Sequence, residues 1–332
     1  MTPAMRLPFL LALPLALIAP AAAIPQTPGD GYFEALRAVD QRLATIGYRL
    51  ATGNAALCRD LQPVPGLVLH AVDQYDADAR GTVTRVFGFA APVAVEAVVD
   101  GAPAARAGLA QNDAVVAIGG RSLPAPTTGS PTSVTRDAAA AILADQPAAQ
   151  PVTWTILRGG ARREIAVPAS SGCRAAFEVL LGRAMAASSD GRIVQIGVRF
   201  FERYRDDEVA AVVAHELAHS VLRHRIRLEA AGVSWGVLAE FGKNRRLFRQ
   251  TEEDADRLSV HLLRNAGYDP ASAPAFWRDH GGDVDSGLFR GRTHPSSKAR
   301  AAAMTAEIAT IPADAPRPYL PPVLATRDQP LG

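Results

Sequence analysis

The segment His215-Glu216-Leu217-Ala218-His219 sets two imidazoles four residues apart, with a carboxylate beside the first. On a helix, residues four apart share a face, so both rings can reach one metal ion. Glu216 lies next to that face, where it can take a proton from an attacking water. Two histidines need a third ligand if a tetrahedral metal is to keep one open position. Glu252-Glu253-Asp254-Ala255-Asp256 offers it. Glu252 and Asp256 share a helical face, so the first can bind the metal while the second accepts the ring N–H of a ligand histidine and fixes its tautomer. Glu253 competes as the ligand, but the residue four on from it is Arg257, which orients no imidazole. The plainer alternative is an acidic first turn that only complements the helix dipole. His294 is a further candidate, in Thr293-His294-Pro295-Ser296. The proline fixes the loop after it, and a loop histidine there could donate to a developing oxyanion. His70, His224, His261 and His280 read as surface or packed histidines.

Two helices must position these groups. Asp206 reads as the cap of the first, with Asp207 and Glu208 in its opening turn, favourable against the dipole. Val209, Val212 and Val213 make the turns before the motif apolar, so the helix is expected to be buried, with Leu217 and Ala218 facing the core. The second helix covers about 251–265 and stops at Gly267, with Pro270 beyond. A strand at 193–196 precedes them, after the turn Asp190-Gly191. Far upstream, Phe33, Leu36, Val39, Leu43, Ile46 and Leu50 recur at three- and four-residue steps, which predicts an amphipathic helix over 30–52. Between 67 and 167 the texture is β-rich. Strands are expected at 83–89, 93–99, 114–118, 152–157 and 165–167, with an Ala-rich helix at 136–146. Residues 228–241, with Trp235, are the candidate for a helix lining the cleft. The Pro-rich tail, 311–332, reads as extended or partly disordered.

The chain has 332 residues, 48% hydrophobic and 20% charged, with a formal net charge of +2. This is enough to bury a core, and it gives no global electrostatic drive toward nucleic acid. Arg6, the apolar run 7–18 and Ala21-Ala22-Ala23 fit a signal peptide over residues 1–23. An exported, periplasmic protein is expected, with secretion or an uncleaved anchor as alternatives. No other stretch is long and apolar enough to span a bilayer, which leaves peripheral membrane association open. The two cysteines, Cys58 and Cys173, invite a disulfide in an exported chain. Two buried thiols are the alternative.

The order of these motifs carries a resemblance. His215 to His219, then Glu252-x-x-x-Asp256, then Ala266-Gly267-Tyr268-Asp269-Pro270, then Thr293 to Ser296 resemble the HtpX, Oma and CAAX-prenyl-protease family of gluzincin metallopeptidases. The resemblance covers about 173–305. It implies His215, His219 and Glu252 as zinc ligands, Glu216 as general base, Asp256 as support for a ligand histidine, and His294 as transition-state donor. A second resemblance lies at 95–120, whose Asp100-Gly101-Ala102-Pro103-Ala104-Ala105-Arg106-Ala107-Gly108-Leu109 and Asn112-Asp113 are similar to the core of a bacterial PDZ domain. It implies a carboxylate-binding loop at Phe87-Gly88-Phe89 and peptide capture by an edge strand. A PDZ-like fold serving only as a spacer or rigid lid is the alternative.

The expected architecture is therefore α+β. It has a mainly helical zincin-type peptidase core with a small β-sheet, in which 24–64 supplies the first helix and 171–310 the metal-binding part. A PDZ-like domain at 65–170 is inserted between Cys58 and Cys173. The expected activity is zinc-dependent cleavage of polypeptides, unfolded or with exposed C-termini, in envelope protein quality control. A chaperone-like assembly factor that binds peptides with little proteolysis is the alternative.

Overall fold

The computed structural model describes residues 28–233, 242–284 and 295–332. The expected signal peptide, Trp235 and His294 lie outside the described residues. Helix α1 (Asp30–Gly53) opens the fold, as the spacing of its apolar residues predicts. Strand β1 (Leu61–Pro63) follows, then β2 (Leu67–Ala71), α2 (Arg80–Phe87), β3 (Val93–Val98), α3 (Pro103–Ala107), β4 (Ala114–Ile118), β5 (Arg121–Ser122), α4 (Val134–Ala144), β6 (Val152–Arg158), β7 (Ala161–Val167) and β8 (Ser171–Cys173). The chain continues through β9 (Ala176–Leu180), β10 (Ala187–Ser189), β11 (Ile193–Gly197), α5 (Val198–Arg203), α6 (Asp206–Val221), α7 (His224–Ala230), α8 (Gly242–Asn265), α9 (Ser272–Val284) and α10 (Ser297–Ala309).

The β-rich stretch forms one sheet in the order β2-β3-β4-β6-β7, with β5 paired to β4. Its pairings are antiparallel. Trp154, Ile156, Val93, Val95 and Ile118 fill its core. The chain enters and leaves this module through one stem, because β1 pairs antiparallel with β8, Leu61 opposite Cys173. The Cys58–Cys173 disulfide closes the same stem, with the Cα atoms 5.3 Å apart across a sequence separation of 115. A crosslink over a loop of that length removes unfolded-state entropy worth about 4 kcal/mol in the chain-entropy model.

Two expectations fail here for local reasons. Residues 80–87 are helix α2, where a strand is expected at 83–89. Val83 and Phe87 are one helical turn apart, and both bury against Phe33 of α1. Gly88, at φ 65°, then ends the helix in the left-handed region that glycine enters freely. The tail also differs from expectation. Residues 322–328 form a 3-10 helix whose Val323 and Leu324 are buried in the helical core.

The helical core gathers α1, α6, α8, α9 and α10 around Leu50, Leu217, Leu258, Phe276 and Met304. Helix α6 is buried almost all round from Val209 to Ala218, which requires partners on every side. Its start is fixed by Glu208, which accepts the N–H of Arg205 at 2.8 Å. The cap is therefore Arg205, and the expected cap Asp206 is the first helical residue. Helix α8 ends where the N–H of Tyr268 bonds the carbonyl of Leu263, with Gly267 at φ 77°. That six-to-one closure is a Schellman motif. Helix α1 ties the two bodies together. Gln41 donates to the carbonyl of Val98 at 2.7 Å, while Arg42 donates to Asp206 and to the carbonyl of Phe201, both at 2.7 Å.

Candidate metal centre

Helix α6 presents His215 and His219 to the buried face of α8, which carries Glu252 and Asp256. His215 Nε2 lies 3.2 Å from His219 Nε2 and 3.3 Å from Glu252 Oε2. His219 Nε2 lies 3.6 Å from Glu252 Oε1. A tetrahedral ion with bonds of about 2.0–2.1 Å separates its ligand atoms by roughly 3.3–3.4 Å. The two nitrogens and the carboxylate thus stand close to the spacing of three corners of such a tetrahedron, and the donor set suits a divalent ion such as zinc. Among the described residues, these are the three that converge in this way. Glu216 is buried and lines the same cavity, of about 210 Å³, together with Ser189, His224 and Phe248.

Each ligand histidine is held from behind. His215 Nδ1 lies 2.9 Å from Asp256 Oδ1, so the carboxylate accepts the Nδ1 hydrogen and leaves the Nε2 lone pair facing the cluster. Asp256 in turn accepts from Arg300 of α10, Nε at 2.8 Å and Nη2 at 2.5 Å. The guanidinium is buried and lies over the Trp277 ring, 3.4 Å from its centroid. Burial alone would raise the Asp256 pKa, but Arg300 and His215 overcome it and hold the carboxyl below its usual range. Burial and Arg300 act to lower the pKa of His215. The hydrogen bonds to Asp256 and Glu252 outweigh them and push it up to about 9. A metal ion bound at Nε2 must displace that proton.

His219 is held by a residue that the sequence reading leaves as merely packed. Its Nδ1 lies 3.0 Å from Nδ1 of His224. One of the two must carry the hydrogen. Burial and the neighbouring His219 keep His224 well below the usual histidine range, so His224 is neutral and can accept. His219 then donates through Nδ1 and keeps Nε2 free for the ion. An unbroken helix would swing a residue five positions on by roughly 140° from His219. Arg223 prevents this. It adopts φ 57°, ψ 36°, a left-handed conformation costly for a side-chain-bearing residue, and the break turns His224 back toward the site. The sequence signal for this was an arginine between two helical stretches, with nothing to mark its φ. Arg300 gave a weak signal, one charged residue in an Ala-rich run.

The other expected site residues lie elsewhere. Phe87, Gly88 and Phe89 sit at the end of α2, away from the cavity, with the Phe87 ring fully buried. Of the remaining histidines, His261 packs against Glu307 at 2.9 Å and His280 against Glu208 at 3.1 Å, as packed histidines should. No helix among the described residues is long and apolar enough to cross a membrane.

Residues 244–308 match the model of peptidase family M48, a span that contains Glu252, Asp256 and Arg300. The chain is also similar to the mitochondrial metalloendopeptidase OMA1 of Schizosaccharomyces pombe, 31% identical over 116 residues. That similarity covers 29% of this chain and 34% of the relative, so the chain matches about a third of the relative's length. Helix α8 and its supporting arginine therefore carry the sequence pattern of peptidase family M48, and the two comparisons together support a metalloendopeptidase.

Proposed function

We propose that the protein is a zinc-dependent endopeptidase acting on exported or envelope polypeptides, in a periplasmic quality-control role. The observation that carries this reading is the convergence of His215, His219 and Glu252 on one point, with Glu216 beside it in the same cavity. Zinc in that position supplies Lewis-acid polarisation of a scissile carbonyl and acidifies a water. The chain's own residues do the rest. His215 and His219 present their Nε2 lone pairs because Asp256 and His224 take their Nδ1 hydrogens. Glu216 takes a proton from the attacking water and passes it to the departing amine. Strand β10 ends its sheet, in the order β10-β11-β9, and Ala187 and Ser189 border the cavity. An extended substrate can pair with that edge and bring its carbonyl to the ligands, which favours a polypeptide. His294 is proposed as the oxyanion donor. The module between β1 and β8 is proposed to be PDZ-like and to receive peptides, with the turn at Phe87-Gly88-Phe89 as the proposed seat of a terminal carboxylate. Its single antiparallel sheet, with β2 at one end, supports that reading.

The test is metal analysis of the purified protein beside casein cleavage by wild type and Glu216→Gln. Zinc should copurify, chelation should stop cleavage, and the variant should retain the metal while losing at least about a hundredfold in rate, as removal of a general base does. Undiminished cleavage by Glu216→Gln would sink the mechanism.

A further inference from the structure

A second cavity, of about 790 Å³, lies where α1, the edge strand β2 and strand β9 meet. It is almost four times the volume of the metal cavity and belongs to neither body alone. Val68, Leu69 and His70 of β2 form one wall, and Phe177, Glu178 and Val179 of β9 form another. Its rim carries Tyr32 and Leu181, two large apolar side chains that are 47% and 60% exposed.

The charges inside are unbalanced. Asp40 of α1, Glu96 of β3 and Glu178 of β9 line the cavity, against the guanidinium of Arg136. Arg136 is already paired with Glu178 at 2.7 Å. That leaves Asp40 and Glu96, which Arg136 and, for Glu96, the buried guanidinium of Arg37 attract without forming an ion pair. Glu96 is 6% exposed, and among the described residues its carboxyl has no hydrogen-bond partner. The nearest ionisable nitrogen is His70 Nδ1, 3.8 Å away, on a ring that burial keeps neutral. A buried carboxyl without a partner costs several kcal/mol or keeps its proton. Burial, with the charge on Asp40, pushes Glu96 up to about 8, and burial pushes Asp40 up to about 6. A metal ion is the wrong occupant. Among the described residues the convergent ligand cluster is His215, His219 and Glu252, and this cavity is far larger than an ion needs.

We propose that this cavity takes the cationic side chain, lysine or arginine, of a polypeptide laid along the free edge of β2, with Asp40 and Glu96 as its counter-ions. Among the described strands β2 ends its sheet, and although the outward N–H of Ala71 is taken by Gln74 Oε1, the stretch before it, Val68 to His70, borders the cavity where an added strand could lie. The apolar rim covers the peptide on either side of the basic residue. The far wall, β9, belongs to the three-stranded sheet whose other end, β10, borders the metal cavity. A substrate anchored here is therefore held one sheet's width from the proposed catalytic centre. The inference rests on the peptidase reading only for the fate of the bound chain. Binding itself does not depend on it.

The test uses the full chain carrying Glu216→Gln, so that bound peptide survives. A short peptide with blocked termini and a central lysine is compared by fluorescence anisotropy with its norleucine and glutamate counterparts. The lysine peptide should bind about tenfold or more tighter than the norleucine one, as a buried charge-assisted pair implies. Adding Glu96→Gln or Asp40→Asn should erase that preference while metal content stays unchanged. Lysine amide alone should compete only weakly. Three results would overturn the proposal: equal binding of the lysine and norleucine peptides, a lysine preference that survives both carboxyl substitutions, or lysine amide binding as tightly as the peptide. The last would mark a site for small amines. Failure of the peptidase reading shows separately, as cleavage by Glu216→Gln or absence of metal.

Discussion

The two cavities bury charge in opposite ways. Behind the metal ligands each orienting contact is made: Asp256 accepts from Arg300 and from His215, and His219 meets His224. In the joint cavity, Asp40 and Glu96 face each other's field and make no hydrogen bond among the described residues. A buried charge persists cheaply only when it is paired. The first arrangement is built for an occupant that stays, because the protein fixes each ligand's tautomer and direction beforehand. The second is suited to an occupant that comes and goes, because the counter-charge must arrive with it.

The sharpest way to separate the two regions is to remove one carboxylate from each. Glu252→Ala takes away one corner of the ligand set, so the purified protein should lose its metal and all cleavage. Asp40→Asn should leave metal content intact. Metal analysis on the two variants decides the matter, and equal metal loss in both would show that the cavities are not independent.

Arg300→Met should have the next largest effect. It leaves the Asp256 carboxylate buried with only His215 as a partner, and breaking a buried pair in this way costs about 3–5 kcal/mol. Metal affinity should also fall about 10–100-fold, as happens when the group orienting a ligand is lost. Urea denaturation and competition with a chelator measure the two separately. Arg300→Lys restores the charge but not the two-pronged contact, so it should recover only part of each.

His224→Phe should cost less. It keeps a ring of similar size and removes only the acceptor for His219 Nδ1. Metal affinity should fall about tenfold, the low end for such contacts, with little change in stability. If chelator competition is unaltered, His219 is oriented by something other than His224.

These last two residues also mark the limit of what the sequence makes legible. The ligands are visible because a helix converts a spacing of four into a shared face, and Asp256 is visible by the same rule. Helix α1 is visible by its apolar periodicity, and α6 and α8 by the spacing of their motifs, the acidic opening turn of the first and the stop at Gly267 of the second. Arg300 reaches Asp256 from a helix 44 residues further on, and His224 reaches His219 through one left-handed residue. Neither tertiary approach nor a positive φ at arginine leaves a local trace. Helix α2 fails for a related reason. Its β-branched residues suggest a strand, and only the presence of α1, with Phe33 to receive Val83 and Phe87, makes the helix the better solution. Glu96 looks like one polar residue alternating along a strand, and it becomes unusual only because α1 covers it.

The remaining prediction tests the joint cavity without any ligand. Glu96 keeps its proton in the folded chain until about pH 8 and gives it up near 4.5 once unfolded. Between those values the folded state binds more protons than the unfolded state, so stability falls as pH rises. Burial is the main cause and the charge on Asp40 adds to it, while Arg37 and Arg136 oppose both. Glutamine has no proton to lose. Glu96→Gln should therefore track wild type below about pH 4.5, gain on it through the window up to about pH 8, and keep a constant advantage above it. Melting temperatures measured across that range report the gap directly. A saturating lysine peptide supplies the missing counter-charge and lowers the pKa of Glu96. It should narrow the gap at pH 8 by stabilising wild type more than the variant. A gap that does not change with pH would mean that Glu96 is already paired in solution, and the contrast between the two cavities would then disappear.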